Sequence, residues 1–179
     1  GELLTIAEKQ GEIRLFAFNP EDGSPLWSQL LGFSENEIAG DLARQWISAQ
    51  PTVANGVILC PTMTGWIVAL DRQSHELLWF HRSPPSKSVA EFQESFLEIK
   101  GLRQGWCYTP LIVSDQSVLS TPPDADELIC LNLADGSKRW SKPRDKGLYV
   151  VGVHQEQVIL VEQRKVRALH LSDGAKSWE

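Results

Sequence analysis

Apolar and polar positions alternate with a period of two over short stretches along most of the chain. Ile13 and Leu15, Trp66 and Val68, Leu128 and Cys130, and Val166 and Ala168 hold one phase, while Leu169 and Leu171 occupy the other. That period belongs to a β-strand, and apolar residues on both phases imply a strand covered on both faces. Each stretch runs into a turn and re-emerges as a second strand. Asp-Gly stands at the turn at 22–23, 135–136 and 173–174, where glycine can take the positive φ of a tight hairpin. Further strand pairs lie upstream: Thr52 to Leu59, hinged at Asn55 and Gly56, then Leu111 to Leu119, then Tyr149 to Leu160. The pattern predicts an all-β chain of four-stranded antiparallel meanders.

The turns belong to an eleven-residue repeat present four times, from Ala17 to Trp27, Ala69 to Trp79, Cys130 to Trp140 and Ala168 to Trp178. Each copy opens on a small residue and closes on tryptophan. Tandem four-stranded sheets bury their faces on one another as the blades of a β-propeller. A tryptophan carries about 150–250 Å² of surface, so one in a fixed place is expected between blades. The repeat accounts for four of the seven tryptophans in a chain with only two tyrosines.

These copies resemble the tryptophan-docking repeat of the PQQ-like, or quinoprotein-type, β-propellers. That family has Ala first, Asp third, Thr-Gly at the turn and Trp eleventh. Here Trp27, Trp79, Trp140 and Trp178 keep the last position, Ala17, Ala69 and Ala168 the first, and Gly23, Gly136 and Gly174 the turn, whereas Thr occurs in none. The resemblance implies that each Trp packs between its own blade and the motif of the next, against the Ala and the Gly-bearing turn. Cys130 replaces Ala, and Ser74 with His75 replaces Thr-Gly, so the second turn is expected to be the least regular. The resemblance runs from about Gly11 to Trp178 and extends to bacterial PQQ-binding-like repeat proteins, many without assigned activity.

The blade units are read as about 1–33, 50–83, 106–145 and 147–179, with insertions at 34–49 and 84–105. The first unit lacks a strand before Leu3 and the last stops one residue beyond Trp178, so both are expected to be unfinished. About four partly incomplete blades suggest a fragment of a ring of seven or eight, completed by a longer chain or by self-association. Ser34 to Glu37 and Ser88 to Glu91 match the Ser-x-x-Glu capping box of a helix start. Val89, Phe92, Phe96 and Ile99 follow at helical spacing up to Gly101, and Ile38, Leu42 and Trp46 form a weaker stripe. A helix docked on the propeller rim is the simplest account of the first set. The segment with Arg103, Trp106 and Tyr108 joins a cation to aromatics beside a blade entry, which makes it the candidate recognition patch.

Net charge is −6 with acidic residues dispersed, which argues against a nucleic-acid partner. The longest apolar runs, Val57 to Cys60 and Val158 to Val161, are too short for a membrane-spanning helix. No signal peptide is recognisable at Gly1 to Ile6. Cys60, Cys107 and Cys130 are far apart and read as buried thiols rather than a disulfide or zinc set. Asp124 to Glu127 lacks the ligand alternation of a calcium loop and reads as a solvated turn. His75, His81, His154 and His170 fall in different units, and no hydrolase elbow, HExxH or phosphate loop occurs. No catalytic, cofactor-binding or metal-binding residue is therefore assigned. The resulting expectation is a noncatalytic propeller, a protein-interaction, scaffold or sensor domain like the propeller lipoprotein of the outer-membrane barrel-assembly machinery, with an unidentified protein partner. A periplasmic or envelope location follows from the resemblance alone. The alternative is a fragment of a PQQ-dependent dehydrogenase, which would need PQQ, calcium, a catalytic Asp and often adjacent cysteines; no Cys-Cys pair is present.

Overall fold

The computed structural model describes residues 1–34, 38, 49–83, 109–122 and 125–179. The chain divides into two compact units, Gly1–Arg82 and Ser83–Glu179, each holding two antiparallel sheets. Unit 1 contains a three-stranded sheet of β1 (Leu3–Lys9), β2 (Glu12–Phe18) and β3 (Pro25–Phe33), in that order. Its second sheet has four strands: β4 (Thr52–Ala54), β5 (Val57–Pro61), β6 (Trp66–Asp71) and β7 (Leu77–Arg82). In unit 2, β8 (Ile112–Ser114), β9 (Ser117–Ser120), β10 (Glu127–Asn132) and β11 (Lys138–Pro143) form one sheet, and β12 (Gly147–His154), β13 (Gln157–Glu162), β14 (Val166–His170) and β15 (Lys176–Trp178) the other. The last sheet, expected to be unfinished, has four strands, because β15 needs only three residues to close it. The expected helices after Ser34 and Ser88, with Leu42, Trp46, Val89, Phe92, Phe96 and Ile99, lie outside the described residues, as do Arg103, Trp106, Cys107 and Tyr108.

Burial follows the sequence pattern. In β2 only alternate residues, Ile13, Leu15 and Ala17, are buried, whereas β5 is buried from Val57 to Cys60 and β6 from Ile67 to Leu70, as strands covered on both faces. Leu15, Ile58, Cys60, Val68 and Leu70 form the core between the sheets of unit 1, with Leu4, Ile6, Trp27 and Leu31 packed around it. In unit 2, Leu119, Leu128, Cys130 and Trp140 meet Val150, Val158, Leu160, Leu169 and Leu171. Each such Leu, Ile or Val contributes about 1.5–3 kcal/mol by burial. Burial pushes the Cys60 thiol up to about 12 and raises that of Cys130 as well. Among the described residues, no helix is long and apolar enough to cross a membrane.

One irregularity recurs in all four repeats. Ala17 pairs with Trp27, Ala69 with Trp79, Cys130 with Trp140 and Ala168 with Trp178, and at the next residue the register slips by one. The residue just before each tryptophan is thus a β-bulge, a device that re-aims the neighbouring side chain and increases the twist. A small residue opposite leaves room for the indole. The hairpin that joins these strands is wider than the tight turn expected. In each copy the seventh-position N–H donates to the third-position carbonyl, and the third-position N–H to the eighth-position carbonyl: Gly23 to Asn19 and Asn19 to Ser24 at 2.9 Å, His75 to Asp71 and Asp71 to Glu76 at 2.9 Å. The equivalent bonds in unit 2 are 2.8–2.9 Å long. By contrast, Asn55 (φ 48°) and Gly56 (φ 80°) make the two-residue turn that the sequence predicted, between Ala54 and Val57.

The second repeat turn is as regular as the others, contrary to expectation. His75 adopts φ 61°, beside 72°, 69° and 67° for Gly23, Gly136 and Gly174. Side chains at the third and sixth positions hold these loops together. Asp71 Oδ1 accepts from the N–H groups of Ser74 and Gln73 at 2.7 and 2.8 Å. Asp22 Oδ1 accepts from the hydroxyl and N–H of Ser24 at 2.7 and 2.9 Å, and Asp135 from those of Ser137 at 2.6 and 2.9 Å. These bonds favour the ionised carboxylate, so all three side chains titrate below the ordinary aspartate value, for Asp22 and Asp135 chiefly through the serine hydroxyl and for Asp71 through the Ser74 N–H. A pKa lower in the folded state gives stability that is present above the unfolded value of 3.8 and is lost as the pH falls from there through the lower folded value. Urea midpoints are accordingly expected to drop between about pH 5 and about pH 3. The combined Asp22→Asn, Asp71→Asn and Asp135→Asn variant should show a shallower drop, and an identical slope would remove these caps from the acid response.

Candidate functional site

The repeat tryptophans occupy three different settings. Trp140 is buried and donates from Nε1 to the Leu171 carbonyl of the neighbouring sheet at 2.8 Å. A Cβ on Gly174 would lie 2.8 Å from Trp140 Cε3, so the indole rests directly on the glycine turn of that sheet. Trp27 is half-buried and stacks on the His75 imidazole, with ring centroids 3.8 Å apart and planes 23° from parallel, while its Nε1 donates to Glu2 Oε1 at 3.0 Å. The residue that replaces glycine has therefore become the surface on which the indole lies. Trp178 is 44% exposed and donates to Gln157 Oε1 at 2.8 Å. Trp79 is buried, as are Ala17, Ala69 and Ala168 opposite the tryptophans, and Gly136; Gly23 is exposed.

Beyond the repeat, the two units treat the outer part of the space between their sheets in opposite ways. In unit 1 a cleft of about 340 Å³ runs between β3 and the second sheet. Five consecutive β3 residues, Gln29 to Phe33, line one wall, and Trp66, Val68, Leu70, Leu77 and Phe80 line the other. A second β-bulge falls within this run, at Leu31, because Ile13 pairs with Gly32 and Arg14 with Leu30, and among the described residues β3 is the outermost strand of its sheet. Leu77 and Phe80 are 55% and 60% exposed, and Phe33 is 69% exposed at the end of β3. Phe80 packs edge-on against Trp66 at 5.5 Å, and the Arg82 guanidinium lies 5.2 Å from the Trp66 ring centroid.

In unit 2 the same repeat positions carry charges: Lys165, Arg167, Lys176 and Glu179 stand where unit 1 has Trp66, Val68, Leu77 and Phe80. Glu179 takes Lys165 at 2.7 Å and Lys176 at 2.8 Å, and those bonds bring its carboxyl down to about 2. Buried Glu162 lies 3.0 Å from Arg167 Nε, and Arg167 also reaches Asp145 at 3.4 Å. Asp126, read from the sequence as part of a solvated turn, is half-exposed and paired with Arg144 at 3.2 Å. Among the described residues no three His, Cys, Asp or Glu side chains converge as metal ligands would.

Neither the His75 stack nor the cleft was found from the sequence. The signal for the cleft lay just outside the eleven-residue window. Three places before the small residue the copies carry Arg14, Trp66, Glu127 and Lys165, and one place after the repeat tryptophan Ser28, Phe80, Ser141 and Glu179. Only the second copy is apolar at both.

Two pairs of substitutions test the tryptophan seats. Gly174→Ala adds a clash to a strained φ and should cost about 2–4 kcal/mol in urea unfolding, against about 1 kcal/mol for Gly23→Ala, where no atom lies within 4 Å of the new methyl. Equal losses would mean that the Trp140 contact has no energetic weight. At position 75 the strain of a left-handed non-glycine residue, about 1–2 kcal/mol, is of the same size as a stacked aromatic pair, about 0.5–1.5 kcal/mol. His75→Gly is thus expected to be nearly neutral and His75→Ala to lose about 1 kcal/mol; an Ala variant as stable as the parent would dismiss the stack.

The model of the family described as outer membrane protein assembly factor BamB matches residues 2–102 and 100–179. No curated protein sequence matches the chain. Among solved structures, BamB from Moraxella catarrhalis is similar at a TM-score of 0.57 and 14% identity over 97% of this chain and 47% of its own length. A quinohemoprotein alcohol dehydrogenase from Comamonas testosteroni reaches 0.53 and 17% over 73% of this chain and 20% of its own. The computationally designed Ika8 protein reaches 0.51 and 10% over 97% and 47%. This chain spans about half the length of the BamB structure, and at such identities the likeness speaks for the β-propeller fold. With both halves matched by the family model and the blade-type sheets of these structures, the chain belongs to the BamB-like family of PQQ-like repeat proteins.

Proposed function

We propose that this chain is part of a noncatalytic propeller that works as a protein-interaction scaffold in a bacterial envelope, acting without PQQ or calcium and together with further blades from a longer chain or a second copy. The observation that carries the reading is the open cleft of unit 1, where Phe80, Leu77 and Phe33 keep more than half of their surface in water. The propeller fold does not require this, since unit 2 carries the ion-paired Glu179 and Lys176 where unit 1 has Phe80 and Leu77. Exposed contiguous apolar surface on a polar protein is the ordinary mark of a protein-binding site. Membership of the BamB-like family supports the same direction, a component of an assembly rather than a catalyst. The likeness to the alcohol dehydrogenase is one of fold.

In a bacterial host that encodes this chain, a photo-crosslinking amino acid at position 33 or 80 should yield discrete adducts with another protein, and the same group at exposed Asp22, far along the strand from the cleft, should not. Purified protein mixed with PQQ and calcium should develop no quinone absorbance and reduce no dye with alcohols or sugars. Bound quinone with turnover would overturn the reading, as would an absence of protein adducts from both cleft positions.

A further inference from the structure

We infer that the uncovered face of the last sheet, β12 to β15, seats on the uncovered face of the first sheet, β1 to β3, of a second copy of this chain, with Trp178 of one copy lying over the Gly23 turn of the other. This names the occupant for the part of the scaffold reading in which further blades complete the chain, and rests on it. The seats inside the two units define what such a contact needs. In unit 1 the first sheet presents Leu4, Leu15 and Trp27, and the second sheet receives them on Ile58, Leu70 and the His75 turn. In unit 2 Leu119, Leu128 and Trp140 are received in the same way by Val158, Leu169 and the Gly174 turn. The presenting positions fall at the same places relative to the repeat in both seats, and so do the receiving ones.

One set of each kind is left uncovered among the described residues. On the last sheet Ile159, Val166 and Trp178 stand at the presenting places, with Ile159 and Trp178 paired to either side of Ala168. On the first sheet Leu3, Phe18 and Gly23 stand at the receiving places, Leu3 paired with Phe18. Both sets are apolar, yet Val166 is 42% and Leu3 57% exposed, where their counterparts Leu128 and Val158 are buried. Apolar side chains left in water across a sheet face mark an interface. Gly23 is a left-handed turn with no described atom within 4 Å of where a Cβ would stand, whereas on Gly174 a Cβ would meet Trp140 at 2.8 Å. One chain thus carries an indole without a turn and a turn without an indole. A second copy supplies both halves with a contact that the fold already builds twice, whereas an unrelated partner would have to imitate a repeat turn. One copy also spans 47% of the BamB structure, so two copies match the length of a whole chain of that fold. Because different surfaces meet, the contact is head to tail.

The test is sedimentation equilibrium on the whole 179-residue chain. The parent should sediment at the mass of two copies or more and dissociate on dilution. Trp178→Glu and Leu3→Glu, at exposed positions on the two faces, should each leave a monomer with the parent's circular dichroism. An equimolar mixture of these two variants should associate again, because the intact first sheet of one meets the intact last sheet of the other. Two misfolded variants could not restore each other, so the mixture separates a lost contact from a lost fold. Gly23→Ala should weaken association at least about tenfold, since its methyl would meet Trp178 as one on Gly174 would meet Trp140. Phe80→Asp, in the cleft, should leave association unchanged. In the host, a crosslinking group at position 22 should capture a second copy of this chain and no other protein. A monomeric parent overturns the proposal, as does a variant mixture that stays monomeric. An assembly that survives Trp178→Glu or Leu3→Glu alone overturns it in favour of one face pairing with itself, and one dissolved by Phe80→Asp in favour of the cleft. If host-cell adducts form at positions 33 and 80 while the parent stays monomeric, the scaffold reading stands and this contact alone falls.

Discussion

Everything in these sheets depends on one cross-strand pairing, a tryptophan facing a residue no larger than alanine or cysteine with a bulge just before it. The bulge turns the indole out of its own sheet, and the small partner lets it lean without a clash. In unit 2 it then crosses to the next sheet, where its Nε1 finds the Leu171 carbonyl and its ring meets bare Gly174. The energetic return is large because an indole of about 150–250 Å² is removed from water with its one polar atom satisfied. The glycine has two duties, a left-handed φ and the absence of a side chain beneath the ring.

Unit 1 shows that those duties can be separated. At His75 the left-handed conformation survives without glycine, and the closing hydrogen bonds keep the same length. The added imidazole does not displace Trp27 but becomes its platform at 3.8 Å. In exchange the indole N–H no longer reaches a carbonyl across the sheets and turns to Glu2 at the chain's edge. A seat made of ring on ring is half-exposed, whereas Trp140 on glycine is buried.

How much of this was legible beforehand follows from the range of each interaction. Strands, meanders and the two-residue turn at Asn55 and Gly56 are decided by neighbours in sequence, and alternation with turn chemistry showed them. The four-residue loop of the repeat was misjudged as tight because Asp-Gly marks both kinds of turn, and only the paired bonds from the third to the seventh and eighth positions tell them apart. The turn at Ser74 and His75 was expected to be irregular because the missing glycine was visible, while the compensating Trp27 ring, 48 positions earlier in sequence, was not. The cleft went unseen for a related reason. Trp66 and Phe80 lie outside the recognised repeat and look like ordinary strand residues until the four copies are compared position by position. The proposed patch at Arg103, Trp106 and Tyr108 lies outside the described residues.

That comparison also locates where a repeat protein can carry individuality. Within the repeat, the small residue, the turn residue and the tryptophan seat one sheet on the next. The ninth repeat position and the residues flanking the repeat line the rest of the space between sheets, and there the copies differ. Unit 2 closes that space with Lys165, Lys176 and Glu179, a bonded set that keeps its polar groups satisfied and offers nothing apolar to a partner. Unit 1 lines it with Trp66 and Phe80, flanked by Arg82, beside β3, which among the described residues is the outermost strand of its sheet. The two units share a fold and differ in the chemistry of that space, largely apolar in the first and ion-paired in the second.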